Sequence, residues 1–152
     1  MPTLSQTFYI RTFKLGDEAD IYQLFYDTVH SVNAKDYTKE QLDTWAPKNP
    51  DLSEWKKTLN KNHTFVAIDK ENGKIIGFSE LKENGCLNRG YVHKDYLKQG
   101  IGTALLEARE QKALALGISK LFSEVSITAK PFFENRGYIT ELEFGLKGSH
   151  QG

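Results

Sequence analysis

Apolar residues recur along this chain in two different periods, and the places where one period gives way to the other outline a fold. Phe8 to Lys14 alternates weakly and is rich in β-formers, which predicts a first strand. After Gly16-Asp17, the residues Ile21, Leu24, Phe25, Thr28 and Val29 fall at helical spacing. Thr38-Lys39-Glu40-Gln41 has the form of a capping box and opens a short helix toward Trp45. Pro47 and Pro50 end it, and Asp51-Leu52-Ser53-Glu54 opens another, so helices fill residues 16 to about 60. His63 to Asp69 then carries the buried-strand run Phe-Val-Ala-Ile, and the turn Glu71-Asn72-Gly73-Lys74 leads back through Ile75-Ile76-Gly77-Phe78. A second turn at Asn84-Gly85 and a third strand from Cys86 to His93 complete an antiparallel meander over residues 63 to 93.

From Ile101 the apolar positions 101, 104, 105 and 108 follow a helical stripe, with Gly117 where a C-terminal stop is expected. Leu121 to Ile127 alternates as a strand, and Lys130 to Asn135 suits a short helix with Pro131 near its start and Gly137 as its stop. Tyr138 to Phe144 predicts a last strand, and residues 146–152 form a tail with nothing to bury. A length of 152 residues predicts one domain over 1–152. There is no internal repeat.

Charge narrows the ligand. Twenty basic residues balance twenty acidic ones without a long block of either sign, which argues against nucleic acid or a membrane surface as partner and favours a small molecule. Cys86 is the single cysteine, so an internal disulfide and a cysteine-based zinc cluster are excluded and no metal is expected. The N-terminus lacks the basic and apolar regions of a leader, and no apolar run is long enough to span a bilayer, so the expected location is cytoplasmic.

The chemistry concentrates where the meander ends, in Tyr91-Val92-His93-Lys94-Asp95-Tyr96-Leu97-Lys98-Gln99-Gly100-Ile101-Gly102-Thr103. Gly100 and Gly102 remove the Cβ atoms that would keep a ligand off the backbone, so the first N–H groups of the following helix can face phosphate oxygens. A Walker A loop is excluded, since no Gly-Lys-Ser/Thr occurs. The dinucleotide fingerprint fails too: its third glycine is Leu105, and the acidic ribose ligand expected about 20 residues on is Lys120.

This segment resembles the acetyl-CoA signature of the GNAT superfamily of N-acetyltransferases, Arg/Gln-x-x-Gly-x-Gly/Ala after a strand ending in Tyr-Val. The element order over residues 8 to 144 is similar to that family's, and Pro131-Phe132-Phe133-Glu134-Asn135-Arg136-Gly137-Tyr138 resembles its C-terminal "ΦYEKxGF" segment. Thr28-Val29-His30-Ser31-Val32-Asn33 with Asp36-Tyr37, and Ser126-Ile127-Thr128-Ala129-Lys130-Pro131-Phe132-Phe133, are similar to a largely bacterial subgroup pairing "TVHxVNxxDY" with "SxTAxPFFExxGF". The resemblance implies an α+β, GNAT-like three-layer fold with a central mixed, mostly antiparallel sheet flanked by helices. It also implies acetyl-CoA as co-substrate, with the pantetheine arm along Tyr91, Val92 and His93 and the thioester carbonyl near the Val92 N–H. The pyrophosphate would lie on Gln99, Gly100, Ile101, Gly102 and Thr103, with Lys98 or Lys94 supplying charge.

Three positions depart from the family pattern. Leu97 stands where Arg or Gln is usual, Asn88 where some relatives place an acidic base, and Phe133 where the usual proton donor is tyrosine. An amine with a pKa of about 10 must lose its ammonium proton before it attacks, and Glu80 or His30 is the candidate base. The alternative for Glu80 is a solvated edge carboxylate. A departing CoA thiolate, with a pKa of about 8.5, tolerates water as its proton source, and Ser126 or Tyr91 is the candidate participant. His30, Tyr37 and Trp45 would line an aromatic acceptor wall or simply pack the helices on the sheet, and Asp36, Asp43 and Glu80 would attract a cation.

The expected function is direct transfer of acetyl from acetyl-CoA to a primary amine of a small molecule or peptide, by a monomer or homodimer. A CoA-binding regulatory module without efficient catalysis is the alternative, and a nucleotide-binding protein is a further rival. Cys86 as acyl carrier is disfavoured because no histidine is placed beside it.

Overall fold

The computed structural model describes residues 7–123 and 130–139. They fall into two compact units, one ending at Phe122 and the other beginning at Ser123. The first contains β1 (Phe8–Thr12), α1 (Glu18–Val29), α2 (Lys39–Trp45), α3 (Leu52–Lys61), β2 (His63–Asp69), β3 (Ile75–Leu81), β4 (Leu87–Val92) and α4 (Ile101–Leu116). The second holds α5 (Lys130–Asn135), which spans the predicted residues.

Local chemistry accounts for the helix ends. Thr38 Oγ1 accepts the Gln41 N–H at 3.2 Å and Gln41 Oε1 accepts the Thr38 N–H at 2.8 Å, the reciprocal box that the sequence predicts. Asp51 caps α3 by accepting from the Ser53 and Glu54 N–H groups. Gly117 ends α4 in the left-handed region, at φ 76°.

The four strands form one antiparallel sheet in the order β1-β2-β3-β4. Successive strand residues face opposite sides, so Val66 and Ile68 meet α1, α2 and α3 together with Phe78, while Ala67 meets α4 through Ile101 and Leu105. Helices on both faces of an antiparallel sheet give the α+β class expected. Among the described residues no helix is long and apolar enough to cross a membrane.

Several boundaries move. β1 ends at Thr12 rather than Lys14, because Lys14 donates its N–H to the Asp17 carboxylate, which Arg11 also grips at 2.9 Å. β4 runs from Leu87 to Val92, one residue inside the expected span at each end. A 3-10 turn at Asn33–Lys35 was not predicted, since three residues are too few to show a period. Of the expected strand Leu121 to Ile127, Phe122 forms a parallel bridge with Cys86, and residues 124–127 lie outside the described residues. Residues 140–144 of the expected last strand lie outside them too.

Leu59, fully buried in the cluster between α3 and the sheet, is a test of this core. Leu59→Ala is expected to cost about 2–5 kcal/mol, seen as a lower urea midpoint with an unchanged slope.

Candidate functional site

The site grows out of the end of β4. His93 donates its N–H to the Ile76 carbonyl at 2.8 Å, and Val92 stands opposite Gly77. Bonded and non-bonded pairs alternate along an antiparallel ladder, so the Val92 N–H and carbonyl point away from β3, toward the open edge. The Val92 carbonyl receives Thr28 Oγ1 of α1 at 3.4 Å. At the other end of the strand, Leu87 donates to the Phe122 carbonyl at 2.7 Å.

Past Val92 the chain makes a 3-10 turn over Lys94–Tyr96, capped by His93, whose Nδ1 accepts the Asp95 N–H at 3.0 Å. That bond fixes the His93 tautomer and turns its ring into the loop. Leu97 is 41% exposed, and Lys98, Gln99 and Gly100 are exposed with it. Lys98 and Gly100 both have left-handed backbones, at φ 63° and 85°. A Cβ on Gly100 would meet nothing within 4 Å, so glycine is needed there for its backbone angle and not to relieve crowding. The first bond of α4 runs from Ala104 N–H to the Gly100 carbonyl at 3.0 Å, which leaves the N–H groups of Ile101, Gly102 and Thr103 without helical acceptors. No side chain caps this end and its first turn has no acidic residue. It is a positive helix end open to an anion.

Glu80 is not the solvated edge carboxylate that sequence allows; it is fully buried. The reason is a bulge. Between the pairs Ser79–Gly90 and Leu81–Leu87, β4 has one more residue than β3, so Asn88 and Arg89 both stand against Glu80. Asn88 Nδ2 donates to Oε1 at 3.2 Å, Arg89 Nε makes an ion pair with Oε2, and Asn62 Nδ2 donates to Oε1 at 2.7 Å. The Arg89 guanidinium lies 3.8 Å over the Trp55 ring, and its Nη2 is buried without a hydrogen-bond partner among the described residues. Sequence reading missed Arg89, Asn62 and Trp55, which only the bulge and the α3 packing bring together.

His30 is held through one ring nitrogen. Its Nε2 donates to the Ala46 carbonyl at 2.8 Å, bracing the end of α1 on the end of α2, while Nδ1 lies 3.9 Å from Asp43. Asp43 also pairs with Lys39 at 2.9 Å. Of the carboxylates expected to draw a cation, Glu80 is therefore neutralised by Arg89 and Asp43 by Lys39. Tyr91 sits among Phe25, Trp45 and Phe78, with ring centroids 5.0, 6.3 and 5.9 Å away. Burial pushes its phenol well above the ordinary value, against weaker opposing effects of Trp45 and Arg89, so it keeps its proton. Tyr37 packs edge-on against Trp45 at 5.2 Å, so the proposed aromatic wall is also packed structure. Ser126 lies outside the described residues. In the second unit, Phe133 is stacked edge-on between Phe132 and Tyr138, each 5.3 Å away.

A sheet whose last strand turns backbone groups outward and then feeds an uncapped helix is the frame of an N-acetyltransferase. The chain belongs to the Acetyltransferase (GNAT) domain family, which it matches over residues 33–145. It is 34% identical over 131 residues to the uncharacterized N-acetyltransferase YafP of Escherichia coli (strain K12), covering 86% of this chain and 81% of that protein. A GCN5-related N-acetyltransferase structure from Rhodopseudomonas palustris superposes with a TM-score of 0.85 at 30% identity, covering 92% of this chain and 86% of the other. The PaiA N-acetyltransferase of Thermoplasma acidophilum, solved with coenzyme A, shares the fold at a TM-score of 0.81 and 20% identity, covering 92% and 94% of the two chains.

The ion pair can be tested directly. Arg89→Met leaves Glu80 buried without its charge partner and is expected to cost about 3–5 kcal/mol in urea unfolding. Adding Glu80→Leu to it should recover part of that loss, because the stranded charge goes with it.

Proposed function

We propose that the protein uses acetyl-CoA to acetylate a primary amine of a small molecule or peptide by direct transfer. The observation that carries this reading is the pairing of an uncapped, acid-free start of α4 with the outward-facing Val92 N–H just ahead of it. The residues present fit the cofactor: the N–H groups of Ile101, Gly102 and Thr103 would receive pyrophosphate oxygens, the space beside Gly100 is open, and Lys98 adds positive charge. Tyr91, Val92 and His93 would border the pantetheine arm, and Gln99 the phosphates. Bound there, acetyl-CoA supplies an activated thioester. The coenzyme A in the PaiA structure supports the same reading for this chain.

The chain's own contribution is binding and orientation. The Val92 N–H, held by the ladder, is a fixed donor for negative charge that builds on an acyl oxygen during attack. Tyr91 retains its proton and serves as a hydrogen-bonding wall. Glu80 is paired with Arg89 and His30 is held through Nε2 alone, so the ammonium proton of the acceptor leaves to solvent or to His30 Nδ1. Cys86 lies six residues before Val92, roughly 20 Å along the strand, too far to carry the acyl group.

Thiol release measured over a panel of amines tests the transfer. Turnover should depend on the acceptor, and kcat/KM should rise about tenfold per pH unit up to the acceptor's own pKa, since the neutral amine is the reactive form. Saturable CoA binding without acceptor-dependent turnover would favour the regulatory module, and tighter binding of ATP or NAD would sink the cofactor assignment. Gly102→Val, which puts a branched side chain in the first turn of α4, should weaken CoA binding by about tenfold or more in a folded protein.

A further inference from the structure

The loop between β4 and α4 has one firm tether. Of its residues 94–100, Tyr96 alone packs into the cluster of Phe8, Ala67, Ile76, Ile101 and Leu105. Its hydroxyl donates to Asp69 Oδ2 at 2.7 Å, across to the end of β2. Asp69 is itself only 7% exposed, and its other oxygen accepts the Glu71 N–H at 2.8 Å. The turn folds back on the same residue: the Asp69 backbone N–H donates to the Lys74 carbonyl at 2.9 Å and the Asp69 backbone carbonyl accepts the Gly73 N–H at 2.8 Å. The Tyr96 hydroxyl and the Glu71 N–H hold the Asp69 carboxyl below the usual carboxylate range, so it remains a strong acceptor at neutral pH. The side of Tyr96 facing the loop is braced as well, since its ring meets His93 edge-on at 5.5 Å and its N–H bonds the His93 carbonyl at 2.9 Å.

The next residues need that brace. Leu97, Lys98, Gln99 and Gly100 are exposed, and Lys98 sits at φ 63°, a left-handed angle that a side chain makes unfavourable. Freed from its tether, such a segment would relax toward commoner angles, and the approach to the first N–H groups of α4 would lose its shape. We propose that Tyr96 is a positioning residue: its hydroxyl on Asp69 locks the loop to the β2–β3 turn and holds it in its phosphate-receiving shape before the cofactor arrives. The inference rests on the acetyl-CoA reading above and adds to it the source of the loop's preorganisation. A site already shaped binds more tightly because less ordering is left to binding. The tether touches neither the acyl group nor the acceptor, so it acts on cofactor affinity and not on the chemical step.

The test compares wild type, Tyr96→Phe, Asp69→Ala and the double variant by calorimetric titration with CoA and by amide hydrogen exchange of residues 97–103 without ligand. Tyr96→Phe keeps the ring packing, and a thermal melt checks that each variant is folded. CoA binding should weaken about tenfold in Tyr96→Phe, roughly the loss of one hydrogen bond to a charged group. The loop amides should exchange faster, and KM for acetyl-CoA should rise while kcat holds. Asp69→Ala should give a similar loss of affinity, and the double variant no more than either single one. Wild-type affinity in a folded Tyr96→Phe, additive losses in the double variant, or a fall in kcat at saturating acetyl-CoA would each overturn the proposal. If wild type itself fails to bind CoA, the cofactor reading falls and this proposal with it. If wild type binds and Tyr96→Phe binds equally well, the tether alone falls.

Discussion

A carboxylate buried inside a sheet must find donors, and Glu80 organises the packing of α3 and β4 around β3 by that requirement. Its donors come from Asn62 at the end of α3 and from Asn88 and Arg89 on β4, so one side chain fastens a helix and two strands. Two adjacent residues of a regular strand point to opposite faces, and both reach Glu80 only because β4 bulges there. The bulge also decides what lies beyond it. Had the Leu81–Leu87 register continued, Val92 would stand opposite Ile76 and its N–H would point into the sheet. One extra residue turns that N–H outward. The ion pair, the register and the outward donor are thus one arrangement viewed at three points.

Much of the fold was legible because its signals are local. The Thr38 box, the Asp51 cap, the left-handed stop at Gly117 and the meander turns each lie within a few residues of what they control. The helix after the glycine junction was legible for the same reason. What escaped reading depends on contacts between distant segments. Nothing in the alternation of β3 marks Glu80 as buried, because the bulge that brings it two donors belongs to another strand. His30 reads as a candidate base, but the hold of the Ala46 carbonyl on its Nε2, sixteen residues on, leaves no mark in the local sequence. Gly100 was recognised as necessary, and its left-handed backbone angle adds a reason that the sequence does not print.

On the face of the sheet toward α1, α2 and α3, two of the carboxylates expected to attract a cation are paired. Arg89 covers the Trp55 ring and neutralises the buried Glu80, and the exposed Asp43 pairs with Lys39. What remains along this face is aromatic: Tyr91, Trp45 and Tyr37 stand edge to face in a chain of contacts. Such rings are rigid and present apolar surface with a polar tip.

The left-handed pair Lys98 and Gly100 carries a consequence for how this protein can change over time. Because the helix end offers main-chain N–H groups, its chemistry is encoded in torsion angles and not in side-chain identity. The exposed side chain at Leu97 can then be exchanged as long as the turn keeps its angles. A leucine where the family it resembles usually has Arg or Gln is compatible with a site built from main-chain groups.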